Sequence, residues 1–234
     1  MKILICGDSF CVTDHRFPGL HWSEKLANRS PDFEILNMSY GGCSNAMILL
    51  QLLQGLQFNP QFLIVSFTNT GRYELDKDKQ ALPLSTECRD LSDWIKSRYI
   101  TNMYESAVID PAVKKCMADC SNSFETIKNY FFVVLALQLI AKKTVPFCYS
   151  LGGFEFCEDY TAVIRENFLP NLLEEHSKQE LQTNLWYHIP RNDPRHPESL
   201  PHFHVDDDRV HTLFYNECLS KINESYEHDG SCDA

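Results

Sequence analysis

Three short stretches hold residue types that could do chemistry together. Gly7-Asp8-Ser9 closes the first apolar run of the chain, and a serine at a strand end can act as a nucleophile if a base reaches its hydroxyl. The same position also suits a polar turn or a helix cap, so the motif alone is a weak signal. Tyr40-Gly41-Gly42 follows a second apolar run, and Gly42, having no Cβ, lets its N–H come close to a ligand. Thr68-Asn69-Thr70 follows a third, and the Asn69 amide offers two donors. Backbone and amide donors converging beside a serine would form an oxyanion hole for a tetrahedral intermediate. A fourth stretch suggests different chemistry. His202, His204, Asp206 and Asp208 alternate, so an extended segment would turn all four to one side, and imidazole with carboxylate suits zinc or manganese. A polar loop running into an acidic helix start explains the same residues, and no further ligand cluster accompanies them.

These turns need a scaffold, and the apolar pattern predicts one. Strand-type runs fall at 2–6 (KILIC), 33–38 (FEILNM), 61–67 (QFLIVSF), 144–150 (TVPFCYS) and 184–189 (NLWYHI). Helical spacing falls at 21–28, 45–56, 124–143, 160–176 and 206–226, with Met47, Ile48, Leu50, Leu52 and Leu53 as the apolar face of the second helix. The third strand is almost continuously apolar, as a strand covered on both faces should be. Strands and helices in alternation imply an α/β fold with a five-stranded parallel sheet, helices on both faces and right-handed crossovers. Such sheets bind ligands at their carboxyl edge, where all three turns fall. Residues 73–122 break the rhythm with a charged run (ELDKDKQ), scattered Trp94, Tyr99 and Tyr104, and the breakers Pro83 and Pro111. They read as a mostly helical insertion capping the cleft, within a single domain over 1–234. Residues 190–201 hold four prolines and read as loop. Phe131, Phe132, Tyr149 and Phe154 read as core rather than as a substrate platform.

Composition narrows the partner. A chain of 234 residues that is 44% hydrophobic and 23% charged can bury one real core, which excludes disorder and coiled coil as overall descriptions. Against 21 Lys and Arg stand 32 Asp and Glu, a net charge of −11, so no basic surplus exists to bind nucleic acid or an anionic membrane. That leaves a small molecule, a neutral polymer or a protein as partner. The apolar stretch after Lys2 stops at Gly7-Asp8, too short for a signal peptide, and the longest apolar run, 131–141, falls well short of the about 20 residues of a membrane span. A cytoplasmic location follows as the expectation, with the ten cysteines as reduced thiols. Cys116 and Cys120 could share a helix face, but no second Cys or His pair at finger spacing joins them.

Taken in order, the motifs resemble the SGNH (GDSL-type) serine hydrolases over nearly the whole chain, the insertion excepted. GDSF at 7–10 is similar to the first block of that family, and NMSYGG at 37–42 to the second, which puts Gly42 in the place of the oxyanion glycine. FTN at 67–69 is similar to the third block, Gly-x-Asn, which makes Asn69 the oxyanion asparagine. Phe67 stands where the block has glycine, and Thr70 where an aspartate usually follows. The GDSF opening and the GGCSN turn are also similar to members carried in phage genomes. The resemblance implies a three-layer α/β/α domain with a flavodoxin-like sheet. It implies Ser9 as nucleophile toward a small-molecule or carbohydrate ester, O-acetyl or another short acyl group, through an acyl-enzyme and with no cofactor.

The general base has three candidates. The last block of the family is Asp-x-x-His just before the final helix. Asp208-Arg209-Val210-His211 matches it literally, Asp193-Pro194-Arg195-His196 matches it with a following Pro197, and His204 lacks the acid because Pro201 stands three residues earlier. In the family the histidine precedes the helix cap by about two residues. A cap at Asp206 would put His204 there and His211 inside the helix. Two other classes stay open: a non-catalytic binding or structural protein that has lost the base, and a metal-dependent hydrolase built on 202–208.

Overall fold

The runs at 2–6 and 62–66 are apolar at nearly every position, so a strand in either place must be covered on both sides. The computed structural model describes residues 1–13, 18–41, 43–68, 73–75, 99–101, 123–151, 177–183, 185 and 207–229. Its elements are β1 (Lys2–Cys6), α1 (Trp22–Arg29), β2 (Glu34–Asn37), α2 (Asn45–Gly55), β3 (Phe62–Ser66), β4 (Tyr73–Leu75), β5 (Tyr99–Thr101), α3 (Ser123–Lys142), β6 (Phe147–Ser150) and α4 (Asp208–Asp229), with short 3-10 turns at Leu56–Phe58 and Ser177–Gln179. The main sheet runs β2-β1-β3-β6 and is parallel throughout, with Leu4 beside Leu36 on one side and Leu63 on the other, and Leu63 beside Phe147.

Alternation along the strands divides the core. Leu4, Cys6, Leu63, Val65, Phe147 and Tyr149 meet Met47, Ile48 and Leu52 of α2 and Val133, Leu137 and Ile140 of α3. On the opposite face, Ile3, Ile5, Phe62, Ile64 and Cys148 meet Trp22 and Leu26 of α1 and Val210, Phe214 and Ile222 of α4. The strand period of two therefore fixes which helices cover which face. No helix among the described residues is long and apolar enough to cross a membrane.

Several expectations change. The sheet has four strands among the described residues. The expected strand at 184–189 lies outside them except for Leu185, which is buried. The chain meets the β6 edge earlier, at Glu180, through a parallel bridge to Tyr149, and the Leu181 N–H donates to the Tyr149 carbonyl at 2.7 Å. In the insertion, β4 and β5 form an antiparallel ladder where helix was expected, and the other residues of 73–122 lie outside the description. Tyr-Glu-Leu and Tyr-Ile-Thr carry the aromatic and β-branched residues that favour strands. The expected helix at 160–176, Phe154, and Cys116 with Cys120 also lie outside the described residues. On α2, Leu53 is 47% exposed and Gln51 is fully buried in its stead. The final helix starts at Asp208, and Asp207 caps it, not Asp206. The Asp207 side chain accepts the Arg209 N–H at 2.9 Å, and its carbonyl accepts those of Val210 and His211.

Candidate active site

Gly7 starts the first turn, and its missing Cβ matters. A Cβ there would lie 2.7 Å from the Cys11 sulfur and 3.1 Å from the Ser66 carbonyl oxygen, so only glycine lets the chain leave β1 this close to β3. Asp8 follows, fully buried, and both its carboxylate oxygens accept hydrogen bonds. Oδ1 accepts from the Phe10 N–H at 3.0 Å, and Oδ2 from the Thr68 hydroxyl at 2.9 Å. The Asp8 carbonyl accepts the Cys11 N–H at 3.0 Å and closes a turn with Ser9 at its first bend. Ser9 itself is only 8% exposed, set into a buried turn.

The second turn lies alongside. Asn37 at the end of β2 donates its amide to the Cys11 carbonyl at 2.8 Å, and the Tyr40 N–H donates to the Gly7 carbonyl at 3.2 Å. A Cβ built on Gly41 would come 3.9 Å from that of Ser9. The third turn is joined to the first by the Thr68–Asp8 hydrogen bond. Phe67, which stands where the resembled block has glycine, is fully buried with its ring edge-on to Tyr149, so its bulk goes into the core. Gly42, Asn69 and Thr70 lie outside the described residues.

Sheet order explains why these turns meet. After β1 the chain moves to β2 on one side, and after β3 it moves toward β6 on the other, so the connections diverge between β1 and β3. That switch point is where parallel α/β sheets open a crevice at their carboxyl edge.

Of the histidines, His196, His202 and His204 lie outside the described residues, as do Asp193 and Asp206. His211 is the fourth residue of α4, 4% exposed, with its ring 4.9 Å from that of His21. Asp208 holds Lys25 of α1 at 2.7 Å, and its side chain is 66% exposed. Among the described residues no group of three or more His, Cys, Asp or Glu is gathered as a metal site requires.

His21 was not singled out by the sequence, and it lies one ring from His211. It caps α1: the Ser23 N–H donates to its Nδ1 at 3.2 Å. Its Nε2 lies 3.0 Å from the Phe10 carbonyl, which can only accept, so Nε2 carries a proton. Trp22 donates its indole N–H to the same carbonyl at 2.8 Å. The residue after Ser9 is thus held from α1. A serine two residues past a histidine at a helix start was the available cue.

Burial sets the thiols nearby. Cys6, Cys11, Cys43, Cys148 and Cys218 are free and buried. Desolvation pushes the Cys6, Cys11 and Cys218 thiols up, and the Asp8 carboxylate pushes Cys11 further, which leaves them protonated and poor nucleophiles.

No protein-family model matches the chain, and no curated protein does. Its fold is similar to solved structures at low identity. One is a lipolytic protein of the G-D-S-L family from Veillonella parvula, at 14% identity over 94% of this chain and 96% of that one, with a TM-score of 0.44. Another is TesA, at 10% identity over 96% and 99%, with a TM-score of 0.47. A third is the psychrotrophic esterase EstA from Pseudoalteromonas sp., inhibited by monoethylphosphonate, at 13% identity over 97% and 98%, with a TM-score of 0.46.

Proposed function

We propose that the protein is a serine esterase that cleaves short acyl esters, O-acetyl groups among them, from a small molecule or carbohydrate. One observation carries this reading: Ser9 is fixed at the switch point of the sheet, in a turn tied directly to the other two strand-end turns. The GDSF, NMSYGG and FTN motifs support it from the sequence. The Ser9 oxygen bonds to the ester carbonyl carbon while a histidine takes the hydroxyl proton. The oxyanion is held by the N–H groups of Ser9 and Gly42 and the Asn69 amide, where one donor is worth on the order of 100-fold or more in rate. Collapse breaks the bond to the alcohol, which leaves with that proton. Water then attacks the acyl-enzyme by the same route and releases the acid.

The base in this reading is His204, in the chain just ahead of α4. In sequence it precedes the Asp207 cap by three residues. His211 is less suited, because it is packed within the helix against His21, with Asp208 engaged by Lys25. The acidic chain disfavours nucleic acid and anionic membranes as partners, and the buried free thiols suit the cytoplasm. Residues 73–122 would cap the cleft of a single domain.

Hydrolysis of 4-nitrophenyl acetate tests the assignment. Ser9→Ala should abolish turnover, and His204→Ala should lower it by about 100- to 10,000-fold, with His196→Ala and His211→Ala close to the unsubstituted protein. A severe loss at His211 instead would move the base to Asp208-x-x-His211. Full activity in Ser9→Ala overturns the mechanism.

A further inference from the structure

Two polar side chains on the buried face of α2 have no part in the chemistry above. Asn45 and Gln51 are both fully buried, among Met47, Ile48 and Leu52. Each makes the same unusual contact. The Gly7 N–H donates to Gln51 Oε1 at 2.8 Å, and Gln51 Nε2 donates back to the Gly7 carbonyl at 3.2 Å. The Thr68 N–H donates to Asn45 Oδ1 at 2.9 Å, and Asn45 Nδ2 donates back to the Thr68 carbonyl at 2.8 Å. Gln51 Nε2 also reaches the Cys43 sulfur at 3.2 Å.

The strand ends explain the need. The last β1–β3 pair is Cys6 with Val65, so Gly7 and Thr68 lie beyond the ladder while still buried. A buried N–H and C=O without partners cost about 1–3 kcal/mol each, although the Gly7 carbonyl also accepts the Tyr40 N–H. A side-chain amide carries an acceptor and a donor on a single planar edge at every pH, so it can pair both, as an adjacent strand would. A carboxylate could satisfy the N–H but not the carbonyl.

We infer that Asn45 and Gln51 are positioning residues for the proposed acyl transfer, holding the Ser9 turn and the Asn69 turn in register through one helix. Gly7 is two residues before Ser9, Thr68 is one before Asn69, and Cys43 is one after Gly42. All three turns are therefore referenced to α2, on which Asn45 and Gln51 stand six residues apart, a rise of about 9 Å along the backbone. Oxyanion donors act only when held close to the geometry of the transition state, and a misplacement of about 1 Å can cost about 100-fold. The inference rests on the serine-esterase reading.

Gln51→Met, Gln51→Leu and Asn45→Leu each remove both the donor and the acceptor while keeping an apolar side chain of similar size. Each is compared with Ile222→Val, a core change on the other face of the sheet. The measurements are kcat and KM on 4-nitrophenyl acetate, corrected for the folded fraction from urea denaturation. The amide variants should lose about 10- to 100-fold in kcat per folded molecule, with KM within about threefold, while Ile222→Val keeps its kcat. Unchanged kcat in the folded amide variants overturns the inference alone, and so does a loss confined to KM. Collapse of the fold in all three also overturns it, because the amides would then hold the protein rather than the site. An inactive unsubstituted protein overturns the esterase reading and the inference with it.

Discussion

Asp8 lies directly before Ser9, yet its two oxygens act on geometry rather than on the substrate. One fixes the Phe10 N–H and the other the Thr68 hydroxyl, so the carboxylate ties the Ser9 turn to the end of β3. Asp8→Ala leaves both donors buried without these acceptors and should destabilise by about 2–6 kcal/mol, taking about 1–3 for each. Asp8→Asn keeps one oxygen, and the Thr68 hydroxyl can rotate to accept from the new amide, so its loss should be smaller. Urea denaturation of both variants checks the order; equal stability of Asp8→Ala and the unsubstituted protein would remove Asp8 from this role. At this scale the sequence was uneven. Ser9, Gly42 and Asn69 stand out as candidates because Gly and Asn punctuate the ends of apolar runs. Asn45 and Gln51 do not, because inside an apolar helix they look like interruptions. Polar residues at buried positions require hydrogen-bond partners, and that was the cue to follow.

Most elements were legible from periodicity, because strands buried on both faces and helices with a packed face leave strong patterns. The strands of the main sheet and the four helices lie within about three residues of the expected bounds, while β4 and β5 stand where helix was expected. The start of α4 slipped for a local reason: Asp206, Asp207 and Asp208 could each cap a helix, and pattern alone does not choose among them. That ambiguity also kept three histidines open as the base. Residues 73–122 resisted because charges and aromatics alternate there without a sustained period. The segment at the β6 edge carries a pH prediction. Burial raises the carboxyl of Glu180 above its usual 4.5, so the folded state holds the proton more tightly than the unfolded chain. The contribution to stability is complete below pH 4.5 and is lost as pH rises through the folded value. Glu180→Gln should therefore match or exceed the parent in melting temperature at pH 7, and the difference should vanish toward pH 4. A variant that melts lower at pH 7 by as much as at pH 4 would contradict this.

Across the whole molecule, one sheet separates two apolar layers, and stability depends on both. Phe214 of α4 is fully buried, with its ring 4.9 Å from Trp22 of α1, while its neighbour Leu213 is 49% exposed. Phe214→Ala should cost about 3–5 kcal/mol through lost contacts and a cavity. Leu213→Ala should stay within about 0.5 kcal/mol. Chemical denaturation of the pair reads the difference, and equal costs would mean that α4 is not packed as described. The layer of α1 and α4 also steadies the site from behind, since His21 and Trp22 hold the Phe10 carbonyl while Phe214 supports Trp22.

The central claim is that the folded protein makes Ser9 a nucleophile, and a fluorophosphonate probe tests it most directly. The native protein and a urea-unfolded sample are incubated with the probe, digested, and the modified peptide is mapped by mass spectrometry. The account predicts an adduct on Ser9 in the native protein alone, with none in Ser9→Ala. No native adduct, or an adduct on a different serine, would contradict it.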